Sequence, residues 1–184
     1  MPVCSSWIHG NALVVESPDY FDPQGDRIGQ LDVTPYGWGS QVSGEGHSVV
    51  SWMHLPIPTV DWDAGRFERF NLVRVFLLFE CANSSIDQVH VYDGRTKVAE
   101  FSMSLEGSYL TKGPQNTFGL KTPYPMKAGV GLSFHYQQHT PLDGEPFANV
   151  PPPGTLLVAA AGAEFETGST LFSAFTGQFL RRGP

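Results

Sequence analysis

The chain has few of the features that build covalent scaffolds, membrane spans or surfaces for polyanions. Its 184 residues include two cysteines, and 11 Lys and Arg stand against 18 Asp and Glu for a net charge of -7. Two cysteines are too few for a disulfide-rich scaffold. No apolar run approaches the roughly 18 residues of a membrane span, and an acidic chain is poorly suited to contact phosphates. We therefore expect a soluble protein with no nucleic-acid partner and no membrane span.

The N-terminus also lacks a basic stretch followed by an apolar segment, which is the pattern of a classical signal peptide. The default expectation is a cytoplasmic protein, and non-classical export stays open as an alternative. In the cytoplasm Cys4 and Cys81 are expected to be reduced thiols. Because it is so near the start of the chain, Cys4 is expected to lie in an N-terminal tail.

Turn-forming residues are abundant instead. The 20 glycines and 15 prolines exceed the usual combined share of roughly 12%, and they punctuate apolar runs without forming a tract. This pattern predicts many turns between short strands. A chain of this length can bury a core of its own without disulfide support.

The clearest structural signal is Asp93-Gly94, which stands between two alternating segments. Asp-Gly at such a place predicts a tight hairpin, since these residues tolerate the positive φ that the turn requires. Val89 and Val91 alternate with polar neighbours before the turn, and the alternation resumes from Ala99 after it. The hairpin identifies the chain as an antiparallel β protein.

Four further segments complete the strand pattern. The apolar run at 70–81 predicts a central strand packed on both sides, and the alternation at 130–137 predicts a half-buried strand. Residues 49–54 predict a strand that ends at the prolines after it, which cannot donate ladder hydrogen bonds. Small residues in 155–165 predict a close approach of another sheet. The whole predicts an all-β, antiparallel, jelly-roll-like β-sandwich of about eight to ten strands over residues 1–167.

Three short motifs combine turn residues and core residues. They are Trp52-x-His54-x-x-Ile57-Pro58-Thr59, Val89-x-Val91-x-Asp93-Gly94 and Ala161-Gly162-Ala163-x-Phe165. They resemble signatures of an uncharacterised family of small microbial β-sandwich proteins, over roughly residues 7–165. The resemblance implies the sandwich fold and implies no activity.

Residues 168–184 form an apolar C-terminal arm beyond the last expected strand. Large apolar side chains recur there at spacings of one, three or four, and they would leave an exposed patch unless they dock on their own domain or on another subunit. Docking on another subunit would give head-to-tail association, as a ring or a filament. The predicted self-association residues are Leu171, Phe172, Phe175, Phe179 and Leu180, with Arg181 and Arg182 at the rim.

Aromatic residues in a turn-rich segment indicate a second possible site. Tyr36 and Trp38, with Tyr20 and Phe21 before them, are able to form a platform on which a sugar ring stacks. The alternative is that these rings cover the open end of the core. A carbohydrate-binding, lectin-like module is therefore the alternative to a self-assembling one.

Patterns for catalysis or metal binding are incomplete. His135 and His139 would lie about 13 Å apart along a strand, so a shared ion would need His54 or His90 from neighbouring strands. The acidic residues of the turn-rich segment do not match a calcium-loop spacing. These acidic residues are Asp19, Asp22, Asp26 and Asp32.

Enzymatic chemistry has equally little support. Glu100 and Glu164 form a conceivable glycosidase pair, but the required carboxylate separation is not a property of sequence. No Gly-x-Ser-x-Gly motif is present. The sequence thus predicts no cofactor and no enzyme, and favours a structural module that associates with itself.

Overall fold

All strands of the structure join one antiparallel sheet, which curls strongly into a half-barrel. The computed structural model describes residues 3–21, 24, 27–46, 49–59, 62–63, 68–139 and 154–168. Within them lie twelve strands, of which ten have three or more residues, and one short 3-10 helix at Gly10–Ala12. The strands are β1 (Val3–His9), β2 (Val14–Val15), β3 (Asp19–Phe21), β4 (Arg27–Tyr36), β5 (Gly39–Gly46), β6 (Val50–Ile57), β7 (Trp62–Asp63), β8 (Glu68–Asp93), β9 (Thr96–Tyr109), β10 (Thr117–Pro125), β11 (Val130–Gln138) and β12 (Thr155–Gly168).

This architecture confirms the all-β, antiparallel prediction at the level of the strands and their pairing. The hydrogen-bonded path runs β2-β6-β11-β8-β12-β5-β4-β3, with β1 on β12 and with β7, β9 and β10 on β8. The strands therefore form one continuous curled sheet. Among the described residues, no helix has the length and apolar character needed to cross a membrane.

Strand β8 connects the two halves of the sheet. It is 26 residues long, and along one edge it pairs first with β12 and then with β11, while β10 and then β9 pair with it as well. Asn83 stands where the partner changes from β12 to β11, and its φ is 51°. Asn tolerates this left-handed conformation better than most residues, so it suits the point at which the strand turns from one partner to the other.

Alternating apolar side chains fill the inner face of the curled sheet. On β11, Val130, Leu132, Phe134 and Tyr136 are buried, as the alternation at 130–137 predicts. The run at 70–81 is a central strand packed on both sides, as expected, because Phe76 is fully buried on the face opposite the core. Other large buried side chains are Phe79, Phe165, Met53, Leu55, Leu72 and Leu77.

The predicted hairpin joins β8 to β9. Asp93 pairs with Thr96 across a turn in which Gly94 has φ 56°. Asp93 is 5% exposed, and its carboxylate accepts three backbone N–H groups of the loop between β10 and β11. The donors are Lys127 at 3.0 Å, Ala128 at 2.7 Å and Gly129 at 3.1 Å. Asp93 therefore holds a second loop against the turn that it helps to form.

β6 ends at Ile57, directly before Pro58, as the prolines predict, but Pro56 still pairs with Gly131 inside the strand. On the other edge of β6, β2 covers only Met53 and His54, so Pro56 lies beyond that described partner, where a proline is tolerated. Cys4 does not lie in a tail, because β1 pairs with β12 and Cys4 packs against the core.

Both cysteines are free thiols in the structure. Burial raises the pKa of Cys81 to about 12 and also raises the pKa of Cys4. A thiol with a raised pKa forms little of the thiolate that reacts. The two side chains therefore act as small apolar groups of the core.

The small residues of β12 do permit a close approach, but the neighbours belong to the same sheet. A Cβ at Gly162 would lie 2.2 Å from Cε2 of Phe76 and 2.6 Å from the carbonyl oxygen of Ser6. Trp7 of β1 covers the same phenyl ring, with ring centroids 4.1 Å apart. Glycine at 162 thus lets Phe76 and β1 pack directly against β12.

Candidate functional site

The hairpin between β4 and β5 carries a pair of exposed aromatic rings. Tyr36 and Trp38 stack with centroids 4.9 Å apart and planes inclined by 4°. They are 40% and 51% exposed, so most of the indole lies outside the core. We call this pair the aromatic platform. The side chains of Tyr20 and Phe21, expected beside it, lie outside the described residues.

Hydrogen bonds from the 3-10 helix fix this hairpin. The Asn11 side-chain amide donates to the carbonyl oxygen of Tyr36 at 2.9 Å, and Ser40 donates to the Asn11 side-chain oxygen at 3.2 Å. The Asn11 backbone N–H donates in turn to Nδ1 of His9. One asparagine therefore links the helix to both strands of the hairpin.

The 3-10 helix and the hairpin between β4 and β5 also contact the backbone of β12 closely. A Cβ at Gly10 would lie 1.8 Å from the carbonyl oxygen of Val158, and a Cβ at Gly39 would lie 2.3 Å from the same atom. Only glycine fits at either position without a shift of backbone. The hairpin that carries the aromatic platform is therefore packed tightly against β12. Its backbone needs to lose little conformational freedom when a ligand stacks on the rings.

A second group of rings lies on the outer face of β6, β11 and β8. Its members, which we call the histidine face, are Trp52, His54, His90 and His135. Ring centroids of Trp52 lie 4.4 Å from His90 and 5.1 Å from His135. The pairing of β11 with β6 and β8 places the three histidines on neighbouring strands, with Ser133 between His54 and His90.

Two of the three imidazoles nevertheless face a hydrogen-bond partner of their own. His135 Nδ1 lies 2.7 Å from Asp87, and His54 Nδ1 lies 2.8 Å from the hydroxyl of Ser133. His139 stands apart from the face, 3.0 Å from Ser85. Among the described residues, no group of three or more His, Cys, Asp or Glu is arranged to hold a metal ion. The geometry is that of a packed, hydrogen-bonded surface.

His90 is the least solvated member of the histidine face. It is 9% exposed, and its Nε2 atom has no hydrogen-bond partner in the described part of the chain, where the nearest carboxylate oxygen of Glu100 is 3.6 Å away. Glu100 is ion-paired with Lys97. Burial, and secondly the charge of Lys97, lowers the pKa of His90 below its ordinary value of 6.5. The neutral imidazole is therefore the form that the folded state favours.

This lowered pKa predicts acid destabilisation. His90 binds a proton more readily in the unfolded chain than in the folded one. Its contribution to the free energy of unfolding is therefore complete above pH 6.5 and is lost as the pH falls through 6.5 toward the pKa of His90 in the folded state. We expect the free energy of unfolding, measured with urea, to fall less between pH 7.5 and pH 5.5 in His90→Gln than in the parent. Equal losses of stability in the parent and in His90→Gln would contradict this account of His90.

A buried carboxylate on β12 forms the third polar cluster. Glu164 lies 3.0 Å from Nε of Arg74 and is also ion-paired with Lys112. The Lys112 ammonium stands 4.7 Å from the centroid of Phe76, a cation–π distance. Glu100, by contrast, lies on β9 beside Lys97, so each member of the conceivable glycosidase pair is neutralised by its own cation. The described geometry gives no support to a joint catalytic role.

Two other sets of predicted residues are described only in part or not at all. Asp19 lies in β3, and Asp32 accepts a hydrogen bond from Gln30 at 2.8 Å in β4; Asp22 and Asp26 lie outside the described residues. The predicted self-association residues also lie outside them. These residues are Leu171, Phe172, Phe175, Phe179, Leu180, Arg181 and Arg182.

Sequence reasoning missed the Glu164 cluster and the role of Asn11. In a continuous apolar run such as 70–81, Phe76 carries no sign that it faces away from the core. Asn11 follows Gly10, a pair that indicates only a turn. Comparison with known proteins adds no relative: no protein-family model, no curated protein and no solved structure matches the chain. The resemblance to the microbial β-sandwich family therefore stays a prediction.

Proposed function

We propose that this protein is a non-catalytic binding module that takes a carbohydrate on the aromatic platform. The stacked, exposed pair of Tyr36 and Trp38 carries the proposal. The C–H groups of a pyranose form an apolar face that matches the flat face of an indole in size and polarity. A hairpin held by Asn11, Gly10 and Gly39 presents that face with little loss of conformational entropy on binding.

The direct test is binding of labelled glycans to Trp38→Ala. Loss of the indole should weaken binding at least tenfold, which corresponds to about 1.4 kcal/mol, and Trp38→Phe should keep part of the affinity because a smaller ring still stacks. Val33→Ala, which changes an exposed apolar side chain of β4, should bind as the parent does. A glycan array on which the parent and Trp38→Ala give the same signals would remove the proposal.

A second candidate, self-association, is favoured by the edges of the sheet. In the described part of the chain, β9 and β10 each pair with β8 alone, so their outer edges offer unpaired N–H and C=O groups. Such edges are ready-made sites for another strand. On this proposal the module is structural, and the arm of 168–184 joins copies head to tail. Closure of the curled sheet into a jelly-roll-like sandwich is part of the same interpretation.

A further inference from the structure

A groove opens between β9 and β10. Both strands pair with β8, β10 along 71–76 and β9 along 79–93, but they do not form a ladder with each other. The groove has a volume of about 270 Å³. Its lining combines the polar residues Glu100, Lys121 and Thr122 with Val98, Ala99, Phe101, Gly119, Leu120 and Tyr124.

The groove combines a partly apolar floor with two strand edges that have no ladder partner in the described part of the chain. β9 is 14 residues long and β10 is nine, and neither outer edge has a ladder partner among the described residues. Partly buried side chains of the floor, such as Leu120 and Tyr124, pack against the core beneath them. An extended segment that adds to an edge gains main-chain hydrogen bonds and places alternate side chains in the floor. The occupant that fits is therefore an extended segment with several large apolar residues.

The C-terminal arm starts close to this groove. β12 ends at Gly168, opposite Arg69, and β10 ends at Pro125, opposite Asn71. The two ends thus lie on opposite sides of β8, separated by two strand spacings, or about 10 Å. The 16 residues from 169 to 184 span up to about 50 Å when extended. The arm can reach the full length of β10 in its own chain.

We propose that residues 169–184 occupy the groove between β9 and β10. Leu171, Phe175 and Phe179, which share one face of an extended segment, supply the side chains for its floor. The same contacts serve within one chain or between two copies, as in domain swapping. This inference adds a receptor to the self-association proposed above and does not depend on it, since an arm docked in its own chain satisfies it equally.

Hydrogen–deuterium exchange of the full chain tests the occupant. Phe175→Asp combined with Phe179→Asp should raise exchange at least tenfold in peptides covering 96–101 and 117–125, because the arm no longer shields the two edges. Thr176→Asp adds a charge to the same arm and keeps its apolar groups, so it should leave exchange unchanged. Peptides from 130–138 report whether the sheet itself remains folded. Unchanged exchange at 96–101 and 117–125 in the double variant would overturn the proposal.

The groove is tested from the other side with Leu120→Asp. This variant should reproduce the tenfold rise at 96–101, whereas Leu110→Asp, at an exposed apolar residue outside the groove lining, should not. A rise at 96–101 in neither variant would count against the groove as the receptor. If Leu120→Asp also exposes 130–138, the double variant of the arm decides alone, since it alters no described strand.

The solution mass of the same proteins separates the two proposals. A linker of this length gives an effective concentration in the millimolar range, so docking in one chain competes strongly with docking between copies. A monomeric parent that shows the exchange effect supports the groove and contradicts self-association through the arm. An oligomer that becomes monomeric in the double variant supports both. An oligomer that persists, with no change in exchange, contradicts both the groove and the arm.

Discussion

Replacing Asp93 with alanine is expected to lower the free energy of unfolding by about 3 to 4 kcal/mol. The carboxylate is 5% exposed and accepts three backbone N–H groups between 2.7 and 3.1 Å. Hydrogen bonds to a charged group contribute roughly 1.5 to 3 kcal/mol each, and water that reaches the exposed residues Lys127 and Ala128 reduces the sum. Urea unfolding monitored by circular dichroism measures the loss.

The conservative variants make this prediction specific to the carboxylate. Asp93→Asn keeps one carbonyl oxygen that can accept a hydrogen bond, so it should lower the free energy of unfolding less than Asp93→Ala does. Asp32→Ala removes an exposed carboxylate that bonds only a glutamine side chain in the described structure, and it should stay within about 0.5 kcal/mol of the parent. A loss in Asp93→Ala as small as that in Asp32→Ala would show that the loop of 127–129 is held by other contacts.

Gly10→Ala should be about as damaging, with an expected loss of about 3 kcal/mol. The added Cβ would lie 1.8 Å from the carbonyl oxygen of Val158, a backbone atom of a central strand. Either β12 or the 3-10 helix must move, and overpacking of this kind typically costs about 1 to 3 kcal/mol or more. If the helix moves, the hydrogen bond from Asn11 to Tyr36 is lost with it. The variant should then also bind glycans more weakly than the parent.

Gly37→Ala is the matched control, because no atom lies within 4 Å of a Cβ added there. Both glycines belong to the region that carries the aromatic platform, but Gly10 is buried against Val158 whereas Gly37 lies exposed in the turn. The difference in unfolding midpoint between the two variants therefore measures the contact with Val158. Equal midpoints would mean that the 3-10 helix can move away from β12 without loss of stability. The contact with β12 would then not hold the aromatic platform in place.

Local patterns along the chain predict the strands well. The hairpin after Asp93 and the half-buried strand of 130–138 follow from turn chemistry and from side chains alternating between two faces. Both depend on neighbours in sequence. The curl of the sheet is different, because β8 changes partners at Asn83, from Thr155 opposite Ala82 to Gln138 opposite Ser84, and both partners are far away in sequence. No pattern within β8 itself indicates that change.

The candidate site shows the same division. Tyr36 and Trp38 are recognisable as aromatic residues in a turn, but their stacking geometry and exposure depend on Asn11, some 25 residues earlier. The histidine face requires three strands in register, and sequence reasoning reached it only as one alternative. Phe76 and Glu164 form their cluster through a register between β8 and β12 that spacing does not reveal. Contacts across the sheet, and not local propensity, create each of these sites.

The position of β12 has a consequence for biosynthesis. β12 pairs with β1, β5 and β8, yet it is translated last among the described strands. At roughly 5 to 20 residues per second, β1 is made on the order of 10 to 30 s before its partner exists. Until then the N–H and C=O groups of the strand edges that pair with β12 have no partner from it. A nascent or prematurely terminated chain is therefore the form of this protein that most needs a chaperone.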